Sequence, residues 1–154
     1  MKNENDLIFA DYIRLSNINP HNFALKNEYI SNLITTCMNI IPVVNSIVGK
    51  ECTRVTRGFL SRQYMLDNLD IPERMFDDLM KHSKGLALEM TFEPFDPDVS
   101  ISVANAVIEN DKQVKVIIDN KKRRISFFRE SDFFGIYEKT NNGLRLVYVS
   151  PESL

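Results

Sequence analysis

The sequence has 154 residues, 44% of them hydrophobic and 26% charged, with a formal net charge of -2. This balance predicts one folded domain over residues 1–154 and excludes an intrinsically disordered chain. The small net charge creates no global field that favours nucleic acid or an anionic membrane, so neither is an expected partner. Two cysteines are too few for a disulfide framework and indicate free thiols in a reducing compartment.

The N-terminal region carries no recognisable targeting signal. The apolar stretch from Leu7 to Ala10 is too short for a signal sequence, and polar residues interrupt the apolar segment from Met38 to Val48. We therefore expect synthesis in the cytoplasm, with virion association or release by lysis left open. Residues 6–16 are compatible with a short helix or an extended arm.

A long helix is predicted from Lys26 to Val48, because apolar residues recur there at the spacing of one buried helix face. Leu33 and Cys37 belong to that face and are expected in the core. Pro42 is expected to kink or divide the helix, since its ring removes a backbone donor. Gly49 is well placed to end it.

The rest of the chain predicts strands with helices between them. Asp98 is the expected N-cap of a helix that runs to Asn110, and the Asn141-Asn142-Gly143 sequence predicts a hairpin turn. A further helix is expected after Pro72. Strands are predicted at Cys52–Thr56, Leu86–Phe92, Val114–Ile118, Arg124–Phe128, Gly135–Lys139 and Leu144–Val149. The order indicates an α+β domain with N-terminal helices packed on a small, mainly antiparallel sheet.

The segment from Met80 to Glu89 (MKHSKGLALE) places an imidazole just before a predicted strand and a carboxylate within it. A turn at Lys84-Gly85 can fold His82 and Glu89 toward one point, as two ligands of a metal require. The alternative is structural, with His82 hydrogen-bonded in the core and Glu89 at an edge or in a cleft. Spacing alone favours the structural alternative.

This segment resembles a motif of the M15 peptidases, S-x-H-x-x-G-x-A-x-D. That family comprises zinc D-Ala-D-Ala carboxypeptidases and phage-type L-alanoyl-D-glutamate endopeptidases. His82, Gly85 and Ala87 match in register, and Glu89 replaces the Asp. Upstream, the segment from Arg57 to Ser61 (RGFLS) resembles the family's S-G-Y-R-S turn through its glycine, aromatic residue and final serine. The resemblance implies a Hedgehog/DD-peptidase-like fold, with His82 and Glu89 as zinc ligands.

The departures from the family pattern concern the metal. A second His on a later strand completes the family's zinc site, but the corresponding region here, Lys121 to Phe127, contains no His. Arg124 stands near that position, and a guanidinium does not coordinate a cation. We therefore expect Arg124, or failing that Arg123, to pair with Glu89 where the metal would have been.

The resemblance also implies where a substrate would bind. The family's substrate-binding Arg corresponds to Leu60 here, so Arg57, Ser61 and Arg62 beside it become the candidate binding residues, together with Arg124. Asp119 lies near the position of the family's catalytic Glu and is a weak candidate for a general base.

Three functional hypotheses remain. The first is an inactive M15-like domain of phage or prophage type that serves as a binding or structural module, without a cofactor. The second is a divergent zinc peptidase of peptidoglycan, with a third oxygen ligand from Asp119, Glu130 or Asp132. The partner would be a protein or a peptidoglycan peptide. The third is an anion binder that uses the basic run from Lys121 to Arg124, although such a run is more often a solvated turn.

Overall fold

The computed structural model describes residues 8–10 and 13–148. Its helices are α1 (Leu15–Ile18), α2 (Asn27–Val48), α3 (Arg62–Asn68), α4 (Phe76–Met80) and α5 (Pro97–Asn110). Its strands are β1 (Ile8–Ala10), β2 (Ile13–Arg14), β3 (Thr53–Arg57), β4 (Ala87–Phe92), β5 (Lys115–Asp119), β6 (Arg124–Phe128), β7 (Gly135–Thr140) and β8 (Gly143–Tyr148). Short 3₁₀ turns cover Lys50–Cys52, Glu73–Met75 and Lys81–Lys84.

Six of these strands form one mixed sheet in the order β3-β4-β6-β5-β7-β8. Every neighbouring pair is antiparallel except β5 and β7, which are parallel. The chain is thus an α+β protein with a mainly antiparallel sheet, as the order of predicted elements indicated. The hairpin predicted at Asn141-Asn142-Gly143 joins β7 to β8, and Gly143 has the positive φ of 124° that such a turn favours.

One face of the sheet packs against α2 and α5 and forms the main core. Leu33 and Cys37 of α2 are fully buried there, so the predicted inward face of this helix is confirmed. Alternate residues of β4 (Leu88, Met90 and Phe92) supply the matching sheet surface. Burial raises the pKa of the Cys37 thiol to about 12, which keeps it protonated and unreactive.

The opposite face is only partly covered, by the segment that contains α3 and α4. A small apolar cluster of Leu60, Met65 and Met80 lies under these helices. Asp78 on α4 binds Lys115 on β5, with 2.7 Å between Oδ2 and Nζ, and both side chains are largely buried. This ion pair anchors the segment over the sheet and leaves the neighbouring part of the same face open.

One local expectation is corrected, and two that left alternatives open are narrowed. Helix α2 runs through Pro42 without being divided, and the proline lies on its exposed side. Helix α5 is capped by Asp96, which accepts a 2.9 Å hydrogen bond from the Val99 N–H, and not by Asp98. Strands β1 and β2 make the N-terminal arm extended before α1 begins.

Helix α2 is long and apolar enough to cross a membrane by length and composition. In this structure it is the central helix of the core, with six side chains buried on its inward face. The stretch from Leu7 to Ala10 lies partly outside the described residues.

Candidate functional site

The open part of the second sheet face forms a cleft of about 430 Å³, which we call the Glu89 cleft. The pairing of the strands determines which residues form the floor of this cleft. Glu89 lies opposite Arg57 on β3 and Ser126 on β6, and Ser126 lies opposite Ile117 on β5. These residues form one row across the sheet, and Arg124, two residues from Ser126, points to the same side.

The Glu89 cleft is rich in charge, and its balance is opposite to that of the whole chain. Five cationic side chains line it: Arg57, Arg74, Lys122, Arg124 and Lys139. Three carboxylates accompany them: Asp70, Glu89 and Asp119. The cleft therefore has an excess of positive charge on a protein with a formal net charge of -2.

The Glu89 carboxylate is held by two guanidinium groups and one hydroxyl. Arg57 Nη1 lies 4.0 Å from Oε2, and Arg124 Nε lies 4.0 Å from Oε1. Thr56 Oγ1 donates a 2.9 Å hydrogen bond to Oε1. At 4.0 Å the two arginines attract Glu89 but do not hydrogen-bond to it, so their N–H donors remain available.

A bulge in β3 explains why two residues of that strand reach Glu89. Val55 pairs with Met90 and Arg57 pairs with Glu89, so Thr56 is the extra residue between them. A bulge of this kind redirects side chains at a sheet edge. Here it turns both Thr56 and Arg57 toward the same carboxylate.

Arg124 faces the cleft and Arg123 does not. Arg123 ends the turn between β5 and β6 with a φ of 57°, and its side chain is exposed. Lys121 and Lys122 in the same turn are also exposed, so the basic run is mainly a solvated turn. Only Lys122 and Arg124 of the run line the Glu89 cleft.

Asp119 lies in the cleft but is already engaged. Its Oδ2 is 3.7 Å from Lys139 Nζ, and its Oδ1 accepts a 3.0 Å hydrogen bond from the Lys122 N–H. These two contacts fix the carboxylate against the turn and against β7. This arrangement favours a structural role for Asp119 over that of a general base.

His82 lies in the 3₁₀ turn Lys81–Lys84, before β4, and is not among the residues that line the Glu89 cleft. Its side chain is 1% exposed, and Nδ1 lies 2.7 Å from the carbonyl oxygen of Gly58. Its ring meets Phe128 edge-on at a centroid distance of 6.0 Å. Burial lowers the pKa of His82 to about 4; the Gly58 bond opposes that shift and nearby Arg57 adds to it.

His82 is thus a neutral imidazole at neutral pH, with Nδ1–H donating to Gly58. Its Nε2 is buried without a hydrogen-bond partner among the described residues. Of the two residues predicted to share a metal, only Glu89 lines the cleft. Within residues 8–10 and 13–148, no cluster of three or more His, Cys, Asp or Glu side chains forms a possible metal site.

Two glycines that carry the resemblance are explained by packing. A Cβ on Gly58 would lie 2.3 Å from the carbonyl oxygen of Ile18, and one on Gly85 would lie 2.5 Å from that of Tyr29. Gly85 also has a positive φ of 76°. Both positions require glycine because a helix backbone passes close by.

Ser61 and Arg62 are not brought to the cleft. The Ser61 hydroxyl caps α3 by accepting a 3.2 Å hydrogen bond from the Tyr64 N–H. Arg62 is exposed and lies over the Phe76 ring, 5.8 Å from its centroid. Of the four predicted binding residues, only Arg57 and Arg124 therefore line the Glu89 cleft.

Three charged residues of the cleft were not predicted: Asp70, Arg74 and Lys139. Lys139 reaches the cleft because β7 pairs with β5 in parallel, which sets it beside Asp119. Asp70 and Arg74 come from the connection between α3 and α4, and Arg74 lies in the 3₁₀ turn Glu73–Met75. The only sequence feature that could have indicated Lys139 was its position within a predicted strand. Many exposed lysines share that feature, so it did not single out Lys139 as a cleft residue.

Comparison with protein-family models, with curated proteins and with solved structures gives no match for this chain.

Proposed function

We propose that this chain is a binding domain without hydrolytic chemistry, and that the Glu89 cleft holds an anionic ligand. The observation that carries the proposal is the sharing of one carboxylate by two guanidinium groups, Arg57 and Arg124, each 4.0 Å away. One carboxylate neutralises only one of these cations. The second positive charge and most of the N–H donors are left for a ligand.

The surroundings of the two arginines strengthen the proposal. Their side chains are 28% and 35% exposed, so a ligand can reach them from solvent while the cleft walls shield part of the interaction. A guanidinium presents a planar fork that matches carboxylate or phosphate oxygens in pairs. Lys122, Arg74 and Lys139 add positive charge around the same opening.

The proposal agrees with the hypothesis of an inactive M15-like domain in which the cleft persists and the metal chemistry does not. The zinc peptidase alternative is less well supported. It needs His82 and Glu89 at one metal, whereas His82 is buried against Gly58 and Arg124 stands beside Glu89. A catalytic zinc usually requires three protein ligands and an open position for water.

Backbone NMR of the ¹⁵N-labelled chain, titrated with inorganic phosphate at constant ionic strength, tests this proposal. The proposal predicts saturable shifts in the amides of β4 and β6 around Glu89 and Ser126, which sodium chloride does not reproduce. Shifts confined to the exposed turn at residues 121–123, or no shifts beyond those of chloride, would contradict it.

A further inference from the structure

A second concavity of about 240 Å³ adjoins the Glu89 cleft, and we call it the aromatic pocket. Its walls include His21, Tyr64 and Phe59. Arg57 and Leu69 line both the aromatic pocket and the Glu89 cleft. The two spaces therefore meet at Arg57, and its guanidinium can contact a ligand in either of them.

The rings of the aromatic pocket are held in place before any ligand arrives. His21 lies 4.7 Å from Tyr64 between ring centroids, and Phe23 packs against both, at 5.3 Å and 5.4 Å. Asn19 fixes the loop that carries His21: its side-chain amide donates to the Phe23 carbonyl, and its side-chain oxygen accepts from the Phe23 N–H. Such preorganisation lowers the entropic cost of binding a planar group.

The charge of the Glu89 cleft indicates how much negative charge the ligand carries. Five cationic side chains against three carboxylates leave an excess of two positive charges. A phosphate monoester is close to a dianion at neutral pH, whereas a single carboxylate balances only half of that excess. Paired N–H donors of Arg57 and Arg124 suit phosphate oxygens.

We infer that the ligand is a phosphate monoester that carries a planar ring, with the phosphate on the N–H donors of Arg57 and Arg124 that Glu89 leaves available and the ring against His21 and Tyr64. This inference rests on the proposed function, and it adds the ligand's chemical class and a second subsite. The ring lies next to the phosphate site because Arg57 belongs to both spaces. Aromatic rings that contact in offset or edge geometry gain affinity beyond the area they bury.

Two matched pairs of probes test the inference by calorimetry. Adenosine 5′-monophosphate and ribose 5-phosphate share the sugar phosphate and differ in the ring. Phenyl phosphate and methyl phosphate place the ring, or no ring, directly on the phosphate. We expect the ring-bearing member of at least one pair to bind about fivefold more tightly or better. The pair that shows the preference gives the spacing between ring and phosphate.

Variants assign the preference to the aromatic pocket. His21→Ala, at an exposed loop position, should reduce the ring preference to about one and leave ribose 5-phosphate or methyl phosphate binding unchanged. Tyr64→Leu keeps an apolar side chain against the cluster of Leu60, Met65 and Met80. This variant should also reduce the preference for ring-bearing probes. Arg57→Gln should weaken all four probes.

The outcomes separate the two proposals. Phosphates that bind with no ring preference in either pair overturn this inference and leave the proposed function standing. A ring preference that survives both His21→Ala and Tyr64→Leu overturns it as well, since the ring then lies elsewhere. If none of the four probes binds, the proposed function fails together with the inference.

Discussion

Arg124 Nε lies 4.0 Å from Glu89 Oε1, across the pairing of strands β6 and β4. This confirms the ion pair expected from the sequence, with Arg124 rather than Arg123 as the partner. It is a looser contact than a bidentate pair, and Arg57 stands at the same distance from the other carboxylate oxygen. Two cations therefore flank Glu89, and water reaches both.

Loss of Arg124 should cost little stability. Because its side chain is 35% exposed and Arg57 still neutralises Glu89, we expect Arg124→Ala to lower the free energy of unfolding by less than ~1 kcal/mol. Urea denaturation measures this, with Arg123→Ala in the adjacent turn as the control. A loss of ~3–5 kcal/mol would show instead that Glu89 becomes a buried, unpaired charge.

Leu33 should be a major contributor to stability. It is fully buried between α2 and the sheet, so Leu33→Ala should cost ~2–5 kcal/mol, the range for an emptied leucine site. Met38 on the same helix is 60% exposed, and Met38→Ala is the matched control, expected within ~0.5 kcal/mol of the parent chain. Similar losses for both variants would mean that the buried face of α2 has been misassigned.

His82 should make the fold sensitive to acid. The pKa of His82 is about 4 in the folded chain and 6.5 for an unperturbed histidine, as expected after unfolding, so the unfolded chain takes up the proton first. Stability is then unaffected above pH 6.5 and falls as pH drops toward 4. At ~1.4 kcal/mol per pKa unit, the full loss is about 3–4 kcal/mol.

The test compares unfolding free energies between pH 7 and pH 4 for the parent chain and His82→Gln. Carboxylates contribute a slope to both proteins, and the difference between the two isolates His82. Equal slopes in the parent and His82→Gln would show that His82 is not a buried neutral imidazole.

We expect no stoichiometric zinc in protein purified without chelator, and no cleavage of peptidoglycan peptides. Arg124 stands at the position where the resemblance places the third ligand, and His82 does not line the cleft. For the same reason, Arg124→His should not create a zinc site. One zinc per chain that is lost on His82→Ala, measured by elemental analysis, would support the peptidase alternative instead.

Local patterns were enough to predict most of the fold. The periodicity of α2, the hairpin at Asn141-Asn142-Gly143 and the strand Arg124–Phe128 all follow from interactions between residues close in sequence. The contact between Arg124 and Glu89 was predicted from the resemblance, which places Arg124 near the family's second zinc-binding His. The Hedgehog/DD-peptidase-like fold implied by the resemblance stays a prediction.

The parts of the site that were missed depend on tertiary pairing. Lys139 enters the cleft through the parallel pairing of β5 and β7, which no local pattern specifies. His82 was placed by motif spacing, but spacing does not determine the side to which an imidazole points. In the structure the imidazole of His82 points to the carbonyl oxygen of Gly58. The bulge at Thr56, which directs Arg57 to Glu89, gave no sequence signal either.

The most direct test of the central claim compares two double variants that lose the same charge. Arg57→Gln with Arg124→Gln removes both guanidiniums beside Glu89, and Arg54→Gln with Arg123→Gln removes two exposed arginines that do not line the cleft. The Kd of inorganic phosphate is measured for each by NMR titration at fixed ionic strength. The account predicts that the first pair weakens binding at least about tenfold and the second less than about twofold. Equal weakening by both pairs would contradict it, since phosphate would then respond to overall charge and not to the Glu89 cleft.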